Sequence, residues 1–291
     1  MAEITRLLQT SRLTVGVFRC PPGDAAWRST NYIGDRAHVV FPNTAVVIRQ
    51  QGKEPVLTTP NNTVFYDADQ LYDRELKSER GDECVFIALS DEALRELADD
   101  EEVTLLDAAC RLRSTHAPMH RRTYLAQHLF VRRLRGRQLR KRDADRFALE
   151  LVRTTLKQPL PAPRARRKQT AVTHRALAEA AKAKLSESLE QPLPVHDLAR
   201  ALHASPFHLA RVFRAETGFS LESYRRALRL KAALERLPES GASLTALALE
   251  LGFASHSHFT ETFRREFGVA PSVVRDDRRT EALLAATALT A

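Results

Sequence analysis

The chain has 291 residues, of which 43% are hydrophobic, and a formal net charge of +9. This size allows two domains that each bury their own core. The sequence contains no run of about 18 apolar residues and no continuous apolar core near its N-terminus, so we expect neither a membrane span nor a signal peptide. Cys20, Cys84 and Cys110 have no disulfide or metal spacing, which favours a cytoplasmic protein.

The positive charge is unevenly distributed along the chain. Residues 1–100 contain 11 Lys and Arg against 16 Asp and Glu, residues 101–170 contain 18 against 6, and residues 171–291 contain 16 against 14. A basic protein favours polyanionic partners. The excess nevertheless lies in the middle of the chain, so the overall charge does not identify the residues that would contact such a partner.

Residues 1–115 have the pattern of a β-rich domain. Short runs of β-branched and aromatic residues alternate with turns rich in Pro, Gly and Asn, which predicts an antiparallel barrel or sandwich. The predicted strands are Leu13–Phe18, His38–Phe41, Thr44–Arg49, Val56–Thr58, Thr63–Tyr66 and Glu83–Leu89.

The β-rich region lacks the residues that enzymes of this architecture require. His38 is the only histidine before His116, so a two-histidine metal site is not expected. The motifs G-x-S-x-G and H-E-x-x-H and the phosphate-binding P-loop are also absent. We therefore expect no catalytic residues, no cofactor and no metal. The remaining roles are small-molecule sensing or support of a dimer.

A small-molecule effector would bind at the mouth of a barrel, which is the usual ligand site of such folds. Aromatic, histidine and arginine side chains of the β-rich region are the candidates. They are Trp27, Tyr32, Arg36, His38, Arg49, Tyr66 and Tyr72. The alternative is a regulator without an effector, whose N-terminal domain only dimerises. A further alternative is an enzyme with a DNA-binding tail.

After Ser90, which is suited to cap a helix over Asp91–Asp100, the sequence becomes helical. Residues 116–157 contain two amphipathic patterns separated near Gly136, and we expect them to form a dimerisation segment. Their basic stretch Arg132–Arg142 has two interpretations. We favour the solvated face of a dimerisation helix over a direct contact with nucleic-acid phosphates.

Three segments complete the domain plan. Residues 158–173, with three prolines and a basic cluster, are predicted to be a stiff linker. Residues 174–278 are predicted to be entirely helical, with helices over Arg175–Leu189 and Leu221–Leu237. Residues 279–291 are predicted to be a frayed tail or a loose helix.

The helical region contains an internal repeat. The segment Leu198–Gly218 returns in altered form as Leu247–Gly268. Leu202 recurs as Leu251, 49 positions later, whereas the residues after the turn recur 50 positions later, so the second copy has one extra turn residue near Ala254. Each copy has the layout of a helix-turn-helix. Two such units in tandem could place two recognition helices on one face of DNA.

In the first copy, Ser205 is suited to cap a helix that starts at Pro206 and ends at Gly218. Arg211 is the strongest candidate for reading a base, because its guanidinium can bind guanine O6 and N7 together. The alternative for Arg211 and Arg214 is an ordinary solvated helix face, and the alternative for Phe207 is packing in the core. The predicted DNA-binding residues of this helix are Phe207, His208, Ala210, Arg211 and Arg214.

In the second copy, Glu261 stands where Arg211 stands in the first. A carboxylate accepts from cytosine N4 but repels phosphates, so this copy should bind more weakly or read different bases. Two histidines at i,i+2 point to different faces of a helix, so His256 and His258 do not predict a metal site. The predicted DNA-binding residues are His256, Ser257, Thr260, Glu261 and Arg264.

Residues 174–277 resemble the AraC/XylS family of bacterial transcription regulators. The resemblance rests on LARALHASPFHLARVFRAETG, on LALELGFASHSHFTETFRREFGVAPSVVR, and between them on Tyr224, Arg229, Leu230 and Ala233. By this resemblance seven positions match those that face bases: Phe207, Ala210, Arg211, His256, Ser257, Thr260 and Glu261. The chain departs from the family at Val274, where an aromatic residue is usual, and at Glu261.

The resemblance implies an α+β multidomain fold. An N-terminal β-rich, cupin-like barrel with dimerisation helices would precede an all-α domain with two helix-turn-helix units. It also implies a sequence-specific regulator of transcription that binds double-stranded DNA. The regulator would act as a homodimer and would be controlled by a small-molecule effector. RNA polymerase would be a partner if the regulator is an activator.

Overall fold

The computed structural model describes residues 1–157, 168–187, 189–191, 193–237, 243–276, 279–280 and 282–284, with only the backbone at 168 and 169. The chain forms two compact units. One comprises the described residues of Met1–Leu160 and Arg278–Ala291, and the other comprises those of Pro161–Asp277.

The N-terminal unit is built on antiparallel strands. In chain order they are β1 (Glu3–Gln9), β2 (Leu13–Cys20), β3 (Asn31–Tyr32), β4 (Ala37–Pro42), β5 (Val46–Gln50), β6 (Val56–Thr58), β7 (Asn62–Tyr66), β8 (Leu71–Leu76), β9 (Asp82–Leu89) and β10 (His116–Pro118). The six predicted strands are all present, and none of their ends is shifted by more than two residues. Strands β1, β3, β8 and β10 were not predicted.

The strands form two sheets. One has the order β1-β2-β9-β4-β7-β10 and the other the order β3-β8-β5-β6. Val46 and Ile48 of β5 share one buried cluster with Val64 of β7 and Phe86 of β9, so the two sheets pack face to face. Among the described residues the sheets do not close on each other. The expected barrel is therefore wrong, because closure needs every strand to be paired on both sides, and the edge strands β3 and β6 have only 2 and 3 residues.

Three helices complete the N-terminal unit: α1 (Asp91–Ala98), α2 (Arg121–Arg135) and α3 (Lys141–Leu156). Ser90 caps α1 by accepting from the Ala93 amide, and α2 ends at Gly136, as predicted. The rings of Phe130 and Phe147 stack at 4.7 Å between α2 and α3. Residues 116–118 belong to β10, which pairs with β7, so the β-rich part extends beyond the predicted boundary at 115.

The C-terminal unit is helical. Its helices are α4 (Lys168–Glu187), α5 (Val195–Ala201), α6 (Pro206–Thr217), α7 (Leu221–Arg236), α8 (Leu244–Glu250), α9 (His256–Phe267) and α10 (Pro271–Arg275). Its core joins α4, α5, α6 and α7 through residues that include Ala181, Leu198, Phe213 and Tyr224.

The predicted linker and the predicted tail flank the helices of this unit in the sequence. Residues 168–173 were assigned to the linker but are helical, because the last proline is Pro163 and nothing after it breaks the helical pattern. The rest of that linker, 158–167, lies outside the described residues. In the tail, residues 279–280 and 282–284 are helical and bury Thr280 and Leu284, which agrees with the predicted helix and not with a frayed end. The last seven residues lie outside the described part.

Candidate DNA interface

The first helix pair consists of α5 and α6. Ser205 caps α6 by accepting from the His208 amide, Pro206 occupies the first turn, and the helix ends at Gly218 in the left-handed conformation. These three features agree with the sequence prediction. One face of α6 is fixed in the core, because Leu209 and Phe213 are fully buried.

The opposite face of α6 is exposed. Phe207, Ala210, Arg211 and Arg214 are all exposed, and the Phe207 side chain has 79% of its surface accessible. The alternative that placed Phe207 in the core is therefore wrong. A large apolar ring held in water is unfavourable unless a partner covers it.

His208 is half-buried at the edge of this face. Its ring lies 5.5 Å from the ring of His174 on α4, and its Nδ1 lies 3.3 Å from the Nη2 of Arg211. With Nδ1 as the acceptor, the imidazole orients the guanidinium. His208 therefore positions Arg211 while it packs against α4.

The second helix pair consists of α8 and α9. Ser255 caps α9 by accepting from the His258 amide, and Phe259, Phe263 and Phe267 bury its inner face. These rings follow one another at centroid distances of 5.7 and 4.8 Å. The three buried phenylalanine rings determine which face of α9 points outward.

The outward face of α9 differs from that of α6. Ser257, Glu261 and Arg264 are exposed, whereas His256 and Thr260 are half-buried. The Oγ1 of Thr260 lies 3.4 Å from the Nε2 of His256. Two of the five predicted side chains thus contact each other.

The turns of the two pairs differ as the repeat predicted. The second turn is longer by one residue, and Phe253 anchors it, with its ring 5.2 Å from the Phe259 ring. The left-handed position is occupied by His203, with φ of 52°, in the first pair and by Gly252, with φ of 73°, in the second. The same turn geometry is therefore built from two different residue types.

Arg229 on α7 was missed as a functional residue. Its Nε donates to the Leu189 carbonyl at 2.5 Å, and its Nη1 donates to the Gly252 carbonyl at 3.2 Å. One side chain thus ties the segment before α5 to the turn of the second pair. The sequence placed Arg229 within the pattern of α7 and among the residues that carry the family resemblance, and neither signal revealed its partners.

Val274, where the sequence departs from the family pattern, lies in α10 and is fully buried.

The seven predicted effector residues divide into two groups. Trp27, Tyr66 and Tyr72 lie in or against the cluster between the sheets, and the His38 ring packs 5.4 Å from Phe86 of the same cluster. Burial raises the pKa of Tyr72 to about 12. The other three are placed differently: Tyr32 and Arg49 are exposed, and Arg36 directs its carbonyl at the His38 ring, at 2.8 Å.

Arg74 on β8 is the charged residue at the centre of this interior, and the sequence reasoning missed it. Its guanidinium donates to Asp82 at 3.0 Å and to Asn31 at 2.8 Å, and only 2% of its side chain is exposed. Its Cζ lies 4.8 Å from the ring centroid of Phe18 and 5.5 Å from that of Trp27. Such cation–π contacts stabilise a desolvated cation. Burial raises the pKa of Asp82, and Arg74 opposes that rise.

The described residues contain neither a metal-binding cluster nor a membrane-spanning helix. No group of three or more His, Cys, Asp or Glu side chains is arranged to hold a metal ion in that part of the chain. Within the same residues, no helix is long and apolar enough to cross a membrane.

Comparison with known proteins places the similarity in the C-terminal unit. Residues 198–277 match the model of the family described as a helix-turn-helix domain. MarA, the multiple antibiotic resistance protein of Escherichia coli, is 34% identical over 91 residues, which cover 31% of this chain and 72% of MarA. The regulator YfiF of Bacillus subtilis is 34% identical over 127 residues, and the match covers 44% of this chain but only 39% of YfiF.

Two solved structures are also similar. A transcriptional regulator with an AraC-type DNA-binding domain from Chromobacterium violaceum has 30% identity and a TM-score of 0.33, over 36% of this chain and 93% of that one. ToxT from Vibrio cholerae has 10% identity and a TM-score of 0.38, over 91% of this chain and 97% of that one.

Proposed function

Since the chain belongs to the AraC/XylS family of bacterial transcription regulators, we propose that it reads a specific DNA sequence with α6 and α9. The observation that carries the proposal is the outward face of α6. Four side chains are exposed there, those of Phe207, Ala210, Arg211 and Arg214, while the opposite face of the helix is buried in the core. A helix of 12 residues fits the major groove with its N-terminal part toward the base edges.

The residues of α6 have different proposed roles. Arg211, oriented by His208, would bind guanine O6 and N7. Phe207 and Ala210 would cover thymine methyl groups, which gives the exposed ring an apolar partner. Arg214, two-thirds of the way along the helix, would contact phosphate.

The second helix would contribute a more selective contact. Ser257 can donate to or accept from a base, and Glu261 can accept from cytosine N4. Arg264 would contact phosphate, while the contact between His256 and Thr260 would fix the edge of the face. The regulator would therefore have one strongly binding helix and one that discriminates.

Arg211→Ala tests the central claim. Random-pool selection with the full chain first defines the preferred site, and binding is then measured on that site and on random duplex. We expect a loss of about 1–3 kcal/mol on the preferred site, roughly 5- to 160-fold in Kd, with relaxed choice at one base pair. The matched control is Arg200→Ala, an exposed arginine on α5, which should keep the base preference. Equal losses of Arg211→Ala on both DNAs would mean that Arg211 contacts only phosphate.

Control by a small molecule is the finer part of the proposal. An effector would enter the interior between the sheets beside Trp27, Tyr66 and Tyr72. The alternative is a ligand-independent regulator, and the pairing of Arg74 with Asp82 and Asn31 supports it, because Nη1 and Nη2 of this buried cation already have partners. Thermal shift of the full chain against a compound panel discriminates the two, since a ligand stabilises only the state that binds it.

The proposed assembly is a homodimer in the cytoplasm, with RNA polymerase as a further partner if the regulator is an activator. The apolar faces of α2 and α3 were predicted to form the dimer interface. In the structure these faces are buried inside the N-terminal unit, and no large hydrophobic side chain of residues 121–156, all of which are described, is exposed. A dimer would therefore need another surface or a polar interface.

A further inference from the structure

The turn between α2 and α3 carries a concentrated positive charge. Residues 132–142 contain seven arginines and lysines and no acid. Five of these cations are exposed, and we call them the basic tip: Arg135, Arg137, Arg140, Lys141 and Arg142.

The basic tip concentrates cations without carboxylate partners in one short stretch. Several other cations of the N-terminal unit are paired: Arg153 contacts Asp100 at 2.7 Å, and Arg80 contacts Glu83 at 2.5 Å. Within the described part of the chain, no carboxylate forms an ion pair with any residue of the basic tip. Five uncompensated cations therefore lie within eight consecutive residues.

The local backbone makes this concentration of charge unfavourable for stability. Helix α3 begins after Arg140, which makes no side-chain capping hydrogen bond, and its first turn contains Lys141 and Arg142 before the acidic Asp143. The start of a helix is electropositive and favours acids, so these cations repel it. An arrangement that local stability does not explain suggests a role in binding.

Arg137 is a second case of the same kind. Its amide donates to the Leu134 carbonyl at 3.0 Å and the Gln138 amide to the Arg133 carbonyl at 3.0 Å, which is the hydrogen-bond pattern of a Schellman motif. Arg137 occupies the left-handed position of that motif, with φ of 53°, where glycine is usual. The chain thus keeps a cation at a position where glycine would fit with less strain.

The composition of the basic tip selects the kind of partner. Protein interfaces have an apolar core with few charges, and no large exposed apolar side chain lies among residues 121–156. A polyanion with regularly spaced charges complements five unpaired cations. We propose that the basic tip binds the phosphate backbone of DNA, without sequence preference, in addition to the base contacts of α6 and α9. This inference rests on the proposed function, which supplies the DNA.

The test removes three charges from the basic tip of the full chain. The variant is Arg137→Gly with Arg140→Gln and Arg142→Gln, in which the glycine suits the left-handed backbone. Arg6→Gln with Arg28→Gln and Lys53→Gln is the matched control, because it removes three exposed positive charges elsewhere in the same unit. Circular-dichroism melting of both variants verifies that they fold.

Binding to the selected site and to random duplex is measured between 50 and 200 mM salt. We expect the slope of log Kobs against log salt to become shallower by about 2–3 for the tip variant, because each phosphate contact contributes about 0.9. Affinity at 100 mM salt should fall roughly 10- to 100-fold on both DNAs, with their ratio unchanged. The control variant should keep the slope of the unmodified chain.

Three outcomes would overturn the inference. They are a tip variant with the same slope as the control, a loss confined to the selected site, and a loss of binding to phosphatidylserine vesicles with an unchanged DNA slope. The last would assign the basic tip to lipid. A failure of the proposed function is distinguishable, because the unmodified chain would then select no sequence from the random pool.

Discussion

At the scale of single residues, Lys231 is an unusual feature of the C-terminal unit. It lies on α7 with 3% of its surface exposed, and Glu266 of α9 is its charged neighbour. Burial lowers the pKa of Lys231 to about 7, and Glu266 opposes that shift. The ammonium therefore loses its proton near neutral pH in the folded chain, whereas a lysine in an unfolded chain keeps it up to about pH 10.4.

This difference makes stability depend on pH in a definite direction. Between about pH 7 and 10.4 the unfolded chain binds one proton more than the folded chain, so unfolding free energy should rise with pH by up to about 1.4 kcal/mol per unit. Below about pH 7 both states are protonated and this contribution is constant. Urea unfolding at a series of pH values measures it.

Lys231→Met should remove that part of the pH dependence, and Glu266→Gln should move its onset to lower pH by removing the charge that favours the ammonium. An identical pH profile for the wild type and Lys231→Met would contradict the expectation.

At the scale of elements, the turns of the two helix pairs solve one geometric problem in two ways. His203 is exposed and adopts a left-handed conformation that costs a non-glycine residue energy. Gly252 adopts the same conformation without that cost. A Cβ at Gly252 would also lie 2.6 Å from the Glu190 carbonyl oxygen and 2.7 Å from the Arg229 Nη2. The second turn therefore requires glycine, whereas the first only tolerates histidine.

Opposite effects are expected from substitutions at these two positions. Gly252→Ala should lower unfolding free energy by at least about 2 kcal/mol, through the left-handed strain and the close contacts. His203→Gly should leave it unchanged or raise it by up to about 1 kcal/mol, because the strain relieved offsets the added chain entropy. Chemical unfolding of both variants gives the two values. A loss at His203→Gly as large as that at Gly252→Ala would refute this account.

The same scale explains what could be predicted from the sequence. Capping residues such as Ser90, Ser205 and Ser255 act within three residues, so the helix starts were predictable. Strand β8 was missed because LYDREL reads as an exposed, charged segment, although Arg74 within it is buried by its pairing with Asp82. Closure of the sheets also depends on long-range pairing, so the barrel prediction failed.

The role of Arg229 shows the limit for the candidate site. The sequence pattern predicted the helix α7, but the acceptors of Arg229 are Leu189 and Gly252, which lie 40 and 23 residues away in the chain. By contrast, the outward residues of α6 follow from helical spacing alone. The local sequence pattern therefore predicted the exposed face of α6, but not the long-range hydrogen bonds of Arg229.

At the scale of the whole molecule, the chain has two separately buried cores. Leu129 is fully buried in the N-terminal unit and Phe263 is fully buried in the C-terminal unit. Each unit satisfies its own apolar surface, which is the physical condition for independent unfolding.

Calorimetry of the full chain should therefore show two transitions. Leu129→Ala should lower the unfolding free energy of the N-terminal unit alone, by about 2–5 kcal/mol, because it leaves a cavity in that core. Phe263→Ala should lower that of the C-terminal unit alone, by about 3–5 kcal/mol. Each substitution should therefore shift only one of the two transitions. The two single variants serve as controls for each other. One transition that both substitutions shift would show that the units unfold together.

The pairing of β2 with β9 has a consequence for the order in which the chain matures. Leu13 pairs with Leu89 and Cys20 with Asp82 along the full length of both strands, so the central sheet must close a long loop before it gains its contacts. The helices of the C-terminal unit form from local contacts, which fold faster. About 200 residues follow Leu89 in the sequence, so at about 5–20 residues per second their synthesis leaves the sheet roughly ten seconds or more in which to close. In a newly made chain the slower sheet would thus be finished before the faster helices are complete.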